Sequence, residues 1–266
     1  MRYPEPTAEQ VAFFRAHGWI VVKGVIPPAD LDALEAHCDT ILQDKARYAF
    51  DWAWDENEKR EERSFRLVQS SPALVWDEID EQPYRKWLAR FGSGLMGKPM
   101  EFWYDQFLGK PPNKSVPTYW HQDEAYWGRR LDNRGITCWI PLIDVGVENG
   151  CMHFIDSGHL DGVLTHRLVE GLKSDMLTCD VDERRTVVCP IERGDVTFHH
   201  SKTPHMTTAN RSNVWRKAVS NHMQQEGTGG EGDNYPWRIH FNQDTGERVK
   251  PTGASTPPPL GGRTGM

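Results

Sequence analysis

The sequence predicts a mainly β fold, an all-β barrel or a two-sheet jelly roll, with helices flanking it on the N-terminal side. Two observations carry that prediction. From about residue 98 the chain breaks into short β-type runs, at 101–108, 136–144, 150–156, 176–180, 186–190, 195–200 and 214–223, separated by Gly, Pro and Asn. Runs of that length without helical patterns between them favour antiparallel sheets over a parallel α/β sheet. Helical periodicity, by contrast, is read near the start of the chain.

The elements follow in order. Thr7-Ala8-Glu9-Gln10 has the form of a capping box, in which Thr7 accepts from a free helix amide and Gln10 reaches back to the Thr7 amide. Val11, Phe13 and Phe14 then supply an apolar helical face, and Gly18 stops the helix. Residues 19–25 read as a strand. Pro27-Pro28-Ala29-Asp30 opens a second helix, with Leu31, Leu34, Cys38, Ile41 and Leu42 at helical spacing. Residues 51–66 carry Trp52, Trp54 and many charges and are expected to form a long loop or insertion. Asn149-Gly150 is a turn signal. Beyond Gln224 the chain turns polar and Gly- and Pro-rich, and its end is expected to be mobile. No repeats are present. A length of 266 residues suits one domain. Its expected parts are a helical flank and insertion at 1–97, a β core at 98–225 and a polar segment at 226–266.

Composition bounds the function. With 31 Lys and Arg against 38 Asp and Glu the formal charge is -7, which argues against nucleic-acid or anionic-membrane partners. Cys38, Cys138, Cys151, Cys179 and Cys189 are odd in number and widely spaced, as in reduced core residues of a cytosolic protein. No apolar run reaches the roughly 20 residues a membrane span needs, and the first residues do not form a signal peptide. The expected location is cytoplasmic and the expected partner a small-molecule substrate.

The residues that carry chemistry are His121 and Asp123 in Trp120-His121-Gln122-Asp123, a distal His205, and Arg216 eleven positions beyond it. Two imidazoles and a carboxylate on one face of a metal, with the other positions open, are the ligand set of non-haem Fe(II) oxygenases. On a β-strand His121 and Asp123 would point to one side and Gln122 to the other. Residues 194–205, ending in Pro204-His205, then a polar turn and the alternating run from Val214, read as a strand, a loop and a returning strand with Arg216 pointing inward. A buried Arg facing a metal pocket implies an anionic ligand, because its planar guanidinium makes paired bonds to a carboxylate. His199 and His200 compete with His205, and Arg211 follows His200 at the same spacing. Arg211 lies in the polar turn and Arg216 in the apolar run, so His205 is preferred and the other two are read as core or outer imidazoles.

With these motifs the chain resembles the phytanoyl-CoA dioxygenase family of Fe(II)- and 2-oxoglutarate-dependent oxygenases, over most of residues 7–223. The resemblance runs through Phe14-Arg15-Ala16-His17-Gly18-Trp19-Ile20-Val21-Val22, Trp120-His121-Gln122-Asp123, Trp139-Ile140-Pro141-Leu142-Ile143-Asp144, Glu148-Asn149-Gly150-Cys151-Met152, Ser157-Gly158-His159, His205 and Arg216. It implies a double-stranded β-helix, the cupin-like jelly roll. It implies Fe(II) on His121, Asp123 and His205, with Arg216 on the far carboxylate of 2-oxoglutarate and O2 as second co-substrate. Gln106, Trp139 and Thr207 are expected beside the co-substrate, and Tyr126, Trp127 and His222 near the substrate. The chain departs from the family at Asp156-Ser157-Gly158-His159, where Pro-Gly-Ser-His is usual. Related halogenases replace the carboxylate ligand by a small residue, so Asp123 favours hydroxylation. Desaturation, cyclisation or epimerisation by the same chemistry, and a non-catalytic or zinc-binding jelly roll, are the alternatives.

Overall fold

Thr7 starts the first helix by the expected reciprocal bonds: its hydroxyl accepts from the Gln10 amide at 3.2 Å, and the Gln10 side chain accepts from the Thr7 amide at 2.9 Å. This computed structural model describes residues 3–55, 65–127, 135–174 and 176–228, together with residues 240, 241, 248 and 249. Helix α1 (Ala8–His17) ends at Gly18, whose φ of 79° is the left-handed cap conformation. A side chain there would strike the His159 ring. Strand β1 (Trp19–Val22) and helix α2 (Pro28–Gln43) follow as expected. Next come α3 (Lys45–Tyr48), β2 (Phe50–Asp51), β3 (Trp54–Asp55) and β4 (Val68–Ser70). The expected loop at 51–66 is thus partly stranded at its start, while residues 56–64 lie outside the described residues.

Helix α4 (Pro83–Met96) was not read from the sequence as an element of its own. Tyr84, Trp87, Leu88, Phe91 and Leu95 recur at three- and four-residue spacing and are buried together with α1 and α2. The one charge on that face, Arg85, is also buried and pairs with Asp105, to which Ser71 donates as well.

The β core comprises β5 (Met100–Lys110), β6 (Thr118–His121), β7 (Gly135–Pro141), β8 (Met152–Ile155), β9 (His166–Leu168), β10 (Leu172–Lys173), β11 (Leu177–Cys179), β12 (Thr186–Cys189), β13 (Val196–His200), β14 (His205–Thr207) and β15 (Arg216–Gln225), with helix α5 (Asp123–Trp127) after β6. A final pair, β16 (His240–Phe241) and β17 (Arg248–Val249), is antiparallel. Two sheets make the jelly roll. One has the order β1-β13-β7-β15-β5-β4-β2 and the other β12-β8-β14-β6. Every pairing in both is antiparallel. This is the double-stranded β-helix, mainly antiparallel β with helices outside. One face of the large sheet packs on α1, α2 and α4 through Phe107, Ile136, Cys138, Phe198 and Val219. The other faces the small sheet, so alternation along each strand divides core residues from site residues.

Two local expectations are corrected and one departure is explained. His121 and Asp123 do not share a strand: β6 ends at His121 and Asp123 is the first residue of α5. Gln122 still turns away, as its amide donates to the Gly162 and Lys202 carbonyls and accepts from the Leu164 amide. The stretch 194–223 is not a strand, loop and returning strand. After β13 the chain crosses to the small sheet as β14, which carries His205, and returns to the large sheet as β15. Strand β7 separates β13 from β15. A three-residue strand that changes sheets leaves too short a period to read in sequence. The departure at Asp156 is also accounted for. Its carboxylate accepts from Trp19 Nε1 at 3.1 Å and meets His17 Nδ1 at 2.7 Å, and Ser157 takes a φ of 57°. Side-chain bonds to α1 and β1 hold the turn that a proline would otherwise stiffen.

Candidate metal and co-substrate site

His205 and His121 are directly paired across β14 and β6, which sets their rings side by side with centroids 4.2 Å apart. Each points one nitrogen at a backbone carbonyl two residues before it: His121 Nδ1 lies 2.7 Å from the Tyr119 oxygen and His205 Nδ1 2.9 Å from the Thr203 oxygen. A carbonyl only accepts, so Nδ1 carries the proton in both rings and Nε2 keeps its lone pair. Asp123 completes the group. Its Oδ1 is 3.9 Å from His121 Nε2 and 3.6 Å from His205 Nε2, and one ligand atom from each of the three residues lies within 4.8 Å of the others. Among the described residues no other group of His, Cys, Asp and Glu meets that test.

Burial lowers both imidazoles below the ordinary histidine range, which keeps them neutral as ligands must be. Burial pushes the Asp123 carboxyl up, but the surrounding imidazoles, His205 first, and the bond from His199 outweigh it and hold the group well below the usual carboxylate range. Two neutral nitrogens and one carboxylate oxygen, buried and converging, fit a divalent first-row metal.

His199 and His200 are alternate neighbours on β13 and so point to opposite sides. His199 reaches Asp123 Oδ2 at 3.2 Å. His200 faces away, accepts from the Lys202 amide at 3.0 Å and packs against His159. His205 is therefore the distal histidine that joins the group.

Along β15 and β5, which pair Arg216 with Lys110, the site face continues to a second region. Arg216 is 1% exposed, yet among the described residues it has no carboxylate partner. Its Nη1 donates to the Leu108 carbonyl at 3.0 Å, its Nε has no hydrogen-bond partner, and its guanidinium lies 5.9 Å from the Trp139 ring centroid. Burial pushes its pKa down to about 9. Lys110 is fully buried beside it, donating to the Thr207 hydroxyl at 2.7 Å and to the Thr207 and Thr208 carbonyls at 3.2 and 2.8 Å. Burial, and then the charge of Arg216, hold the Lys110 amine well below its usual range. Two buried cations with only neutral oxygens for company fit an anion, and a dicarboxylate reaching from the metal would supply one.

The other anticipated residues are brought nearby. Thr207 is held by Lys110, and Trp139 lies against Arg216. Gln106 sits further along β5, 3.3 Å from His222 Nε2. His222 stacks on Tyr104 at 4.1 Å, and Trp127 donates to the Tyr104 hydroxyl at 2.7 Å. The Tyr126 ring stands 5.6 Å from His121, and its hydroxyl accepts from the Leu177 amide at 2.6 Å. Lys110 and Thr137 escaped the sequence reading. Lys110 lies two residues beyond the β-type run 101–108, and the strand extends to include it, in phase with Gln106; nothing singled out Thr137.

A model of the family described as phytanoyl-CoA dioxygenase (PhyH) matches residues 14–218. The chain belongs to that family. A relative, phytanoyl-CoA dioxygenase domain-containing protein 1 of Danio rerio, is 24% identical over 267 residues, covering 84% of this chain and 91% of the relative. Among solved structures, EvdO2 from Micromonospora carbonacea var. aurantiaca complexed with 2-oxoglutarate is similar, with a TM-score of 0.71, 25% identity, and coverage of 89% of this chain and 99% of that one. The epimerase SnoN in complex with Fe3+, alpha ketoglutarate and nogalamycin RO shares the fold, with a TM-score of 0.66 at 22% identity over 96% of this chain and 94% of that one. Family membership makes this protein a 2-oxoglutarate-dependent non-haem iron oxygenase, an oxidoreductase that uses Fe(II), 2-oxoglutarate and O2.

Proposed function

We propose that this phytanoyl-CoA dioxygenase family member hydroxylates an unactivated C–H bond of a small organic substrate. His121, Asp123 and His205 hold Fe(II), and Arg216, with Lys110 and Thr207 behind it, receives the far carboxylate of 2-oxoglutarate. The observation that carries this is Arg216, which among the described residues is buried without a carboxylate and with its Nε unpartnered, on the large sheet opposite the small sheet that carries His121 and His205. An uncompensated buried cation costs several kcal/mol, which an anionic ligand would offset. Bound Fe(II) supplies the oxidising chemistry, in which one atom of O2 goes to the substrate hydroxyl and the other to succinate as CO2 leaves. The chain's own residues do the rest. Nδ1 bonds to backbone fix which nitrogen of His121 and His205 faces the metal, and Trp139 walls the co-substrate from water. Gln106 is assigned to the pocket wall, and Tyr126, Trp127 and His222 to the substrate side. The chain acts as one oxygenase domain in the cytoplasm, without nucleic acid or membrane. Its buried free cysteines support a reducing compartment, and among the described residues no helix is long and apolar enough to cross a membrane.

The test is anaerobic loading of metal-free protein with Fe(II), followed by titration with 2-oxoglutarate while recording the visible charge-transfer band of the chelate. Wild type should give the band. Arg216→Lys should need about 100-fold more 2-oxoglutarate and Lys110→Met about tenfold more, since paired charge-assisted bonds are lost in the first and one buried charge in the second. Iron binding without a band in wild type would remove the co-substrate assignment. An epimerase with this fold favours one competing outcome, diversion of the same chemistry to epimerisation, desaturation or cyclisation. Product mass separates these from hydroxylation, which alone adds an oxygen atom.

A further inference from the structure

Asp123 offers one oxygen to the metal group, and the other is occupied by the protein. Oδ2 lies 2.6 Å from the Thr137 hydroxyl and 3.2 Å from His199 Nε2. Thr137 also meets His222 Nδ1 at 2.9 Å, and His222 Nε2 meets the Gln106 side-chain amide at 3.3 Å. These residues form one rung across the large sheet. The registers pair His199 with Thr137, Thr137 with His222, and His222 with Tyr104. Helix α5 is fixed to that rung twice: through Asp123 at its first residue, and through Trp127 one turn on, whose indole donates to Tyr104.

The donors and acceptors leave one arrangement. A carboxylate only accepts, so the single Thr137 proton goes to Oδ2, and Thr137 must accept from a proton on His222 Nδ1; the lone pair left on His222 Nε2 then needs the Gln106 amide turned so that its NH2, in place of the Oε1 at 3.3 Å, donates there. His199 gives its Nε2 proton to the same oxygen, which leaves its buried Nδ1 without a partner among the described residues. That unmet lone pair is an uncompensated cost, of the kind tolerated where a residue serves a site. Oδ2 thus accepts two bonds, while Oδ1 stays beyond hydrogen-bond distance of both imidazole Nε2 atoms.

We propose that Thr137, His199 and His222 are positioning residues that clamp Asp123 Oδ2, so that Asp123 binds the metal through Oδ1 alone, with Gln106 ending the chain of bonds at the pocket wall. The proposal rests on the reading of His121, Asp123 and His205 as metal ligands. A carboxylate free to turn would take two metal positions; a clamped one takes one and leaves three open, as many as a chelating 2-oxo acid and O2 require. Groups that orient metal ligands in this way characteristically change affinity about 10- to 100-fold when removed.

The experiment is Co(II) titration of the metal-free full chain, read by affinity and by the visible d–d spectrum, with no turnover involved. Thr137→Val, nearly isosteric but without the hydroxyl, should bind Co(II) about 10- to 100-fold more weakly and with an altered spectrum, and Thr137→Ser should restore both. His222→Phe, which keeps a ring against Tyr104, should lose affinity in the same direction and serves if Thr137→Val does not fold. Wild-type affinity and spectrum in either variant, or a lowered metal-free melting temperature as the only change, would overturn the clamp. His205→Ala run alongside should abolish tight Co(II) binding; if it binds as wild type does, the ligand assignment itself fails.

Discussion

Arg216 and Gly150 show how much rests on single residues around the buried Lys110–Arg216 pair. Gly150 takes a φ of +92°, and a Cβ added there would stand 2.7 Å from the Thr208 carbonyl oxygen and 3.7 Å from Arg216 Nε. The Thr208 carbonyl is one of the acceptors that hold Lys110, so the turn between β7 and β8 is packed against the cation pair. Gly150→Ala should therefore cost roughly 2–4 kcal/mol, from a left-handed backbone and a contact with backbone that does not yield. Urea unfolding checks this, and an unchanged midpoint would contradict it. The family motif Glu148-Asn149-Gly150 has its reason here: Asn149 accepts from the Gly146 amide at 2.7 Å to shape the turn, and only glycine fits at its end.

At the scale of elements, Asp51 on β2 ties Ala53, just before β3, to Arg66 and Leu67, just before β4. Its Oδ1 accepts from the amides of Ala53, Arg66 and Leu67 at 3.2, 3.1 and 3.0 Å, while its Oδ2 has no partner among the described residues. Burial pushes its pKa up to about 6, despite those three bonds pulling it down. A carboxyl whose folded pKa is raised holds its proton more tightly when folded. Its contribution to stability is fully present below the unfolded value near 3.8 and is lost as pH rises through about 6. Stability should therefore fall by roughly 3 kcal/mol across that window on this group's account. In Asp51→Asn the same oxygen can accept the three bonds without a charge, so that decline should disappear. Urea midpoints measured from pH 4 to pH 7 in both proteins decide it, and parallel profiles would refute the assignment. Helix α4 belongs to this scale too: its period was present in residues 84–95, but Arg85 and Gly92 on the buried face interrupt it, and only the partner Asp105 explains why a charge belongs there.

For the whole molecule, the metal group joins two strands of the small sheet and one helix: His121 from β6, His205 from β14 and Asp123 from α5. A ligand that bridges β6, β14 and α5 binds the folded state and not the unfolded chain, so it stabilises the entire jelly roll by mass action. At 100 times its dissociation constant a divalent metal should add about 2.7 kcal/mol and raise the melting temperature by about 5–10 °C, and a chelator should reverse this. Calorimetry on wild type and His205→Ala checks it; an equal rise in both would place the metal elsewhere.

Much of this was decided by sequence alone. The β runs were legible because alternation survives in strands with one face on the helices, and α1 because its capping box is a purely local device. His121, Asp123 and His205 were legible as a converging group, and Arg216 as a buried, inward-facing arginine, because metal- and carboxylate-binding chemistry restricts residue type at such positions. Tertiary structure decided what depends on residues far apart. It placed Asp123 on a helix instead of a strand, sent His205 across to the second sheet, and showed that His199 serves Asp123 while His200 does not. It also brought Lys110 to Arg216 and Thr137 to Asp123. The reason is physical: local periodicity records which face of an element is buried, whereas hydrogen-bond partners across a sheet are set by register between strands that are distant in sequence.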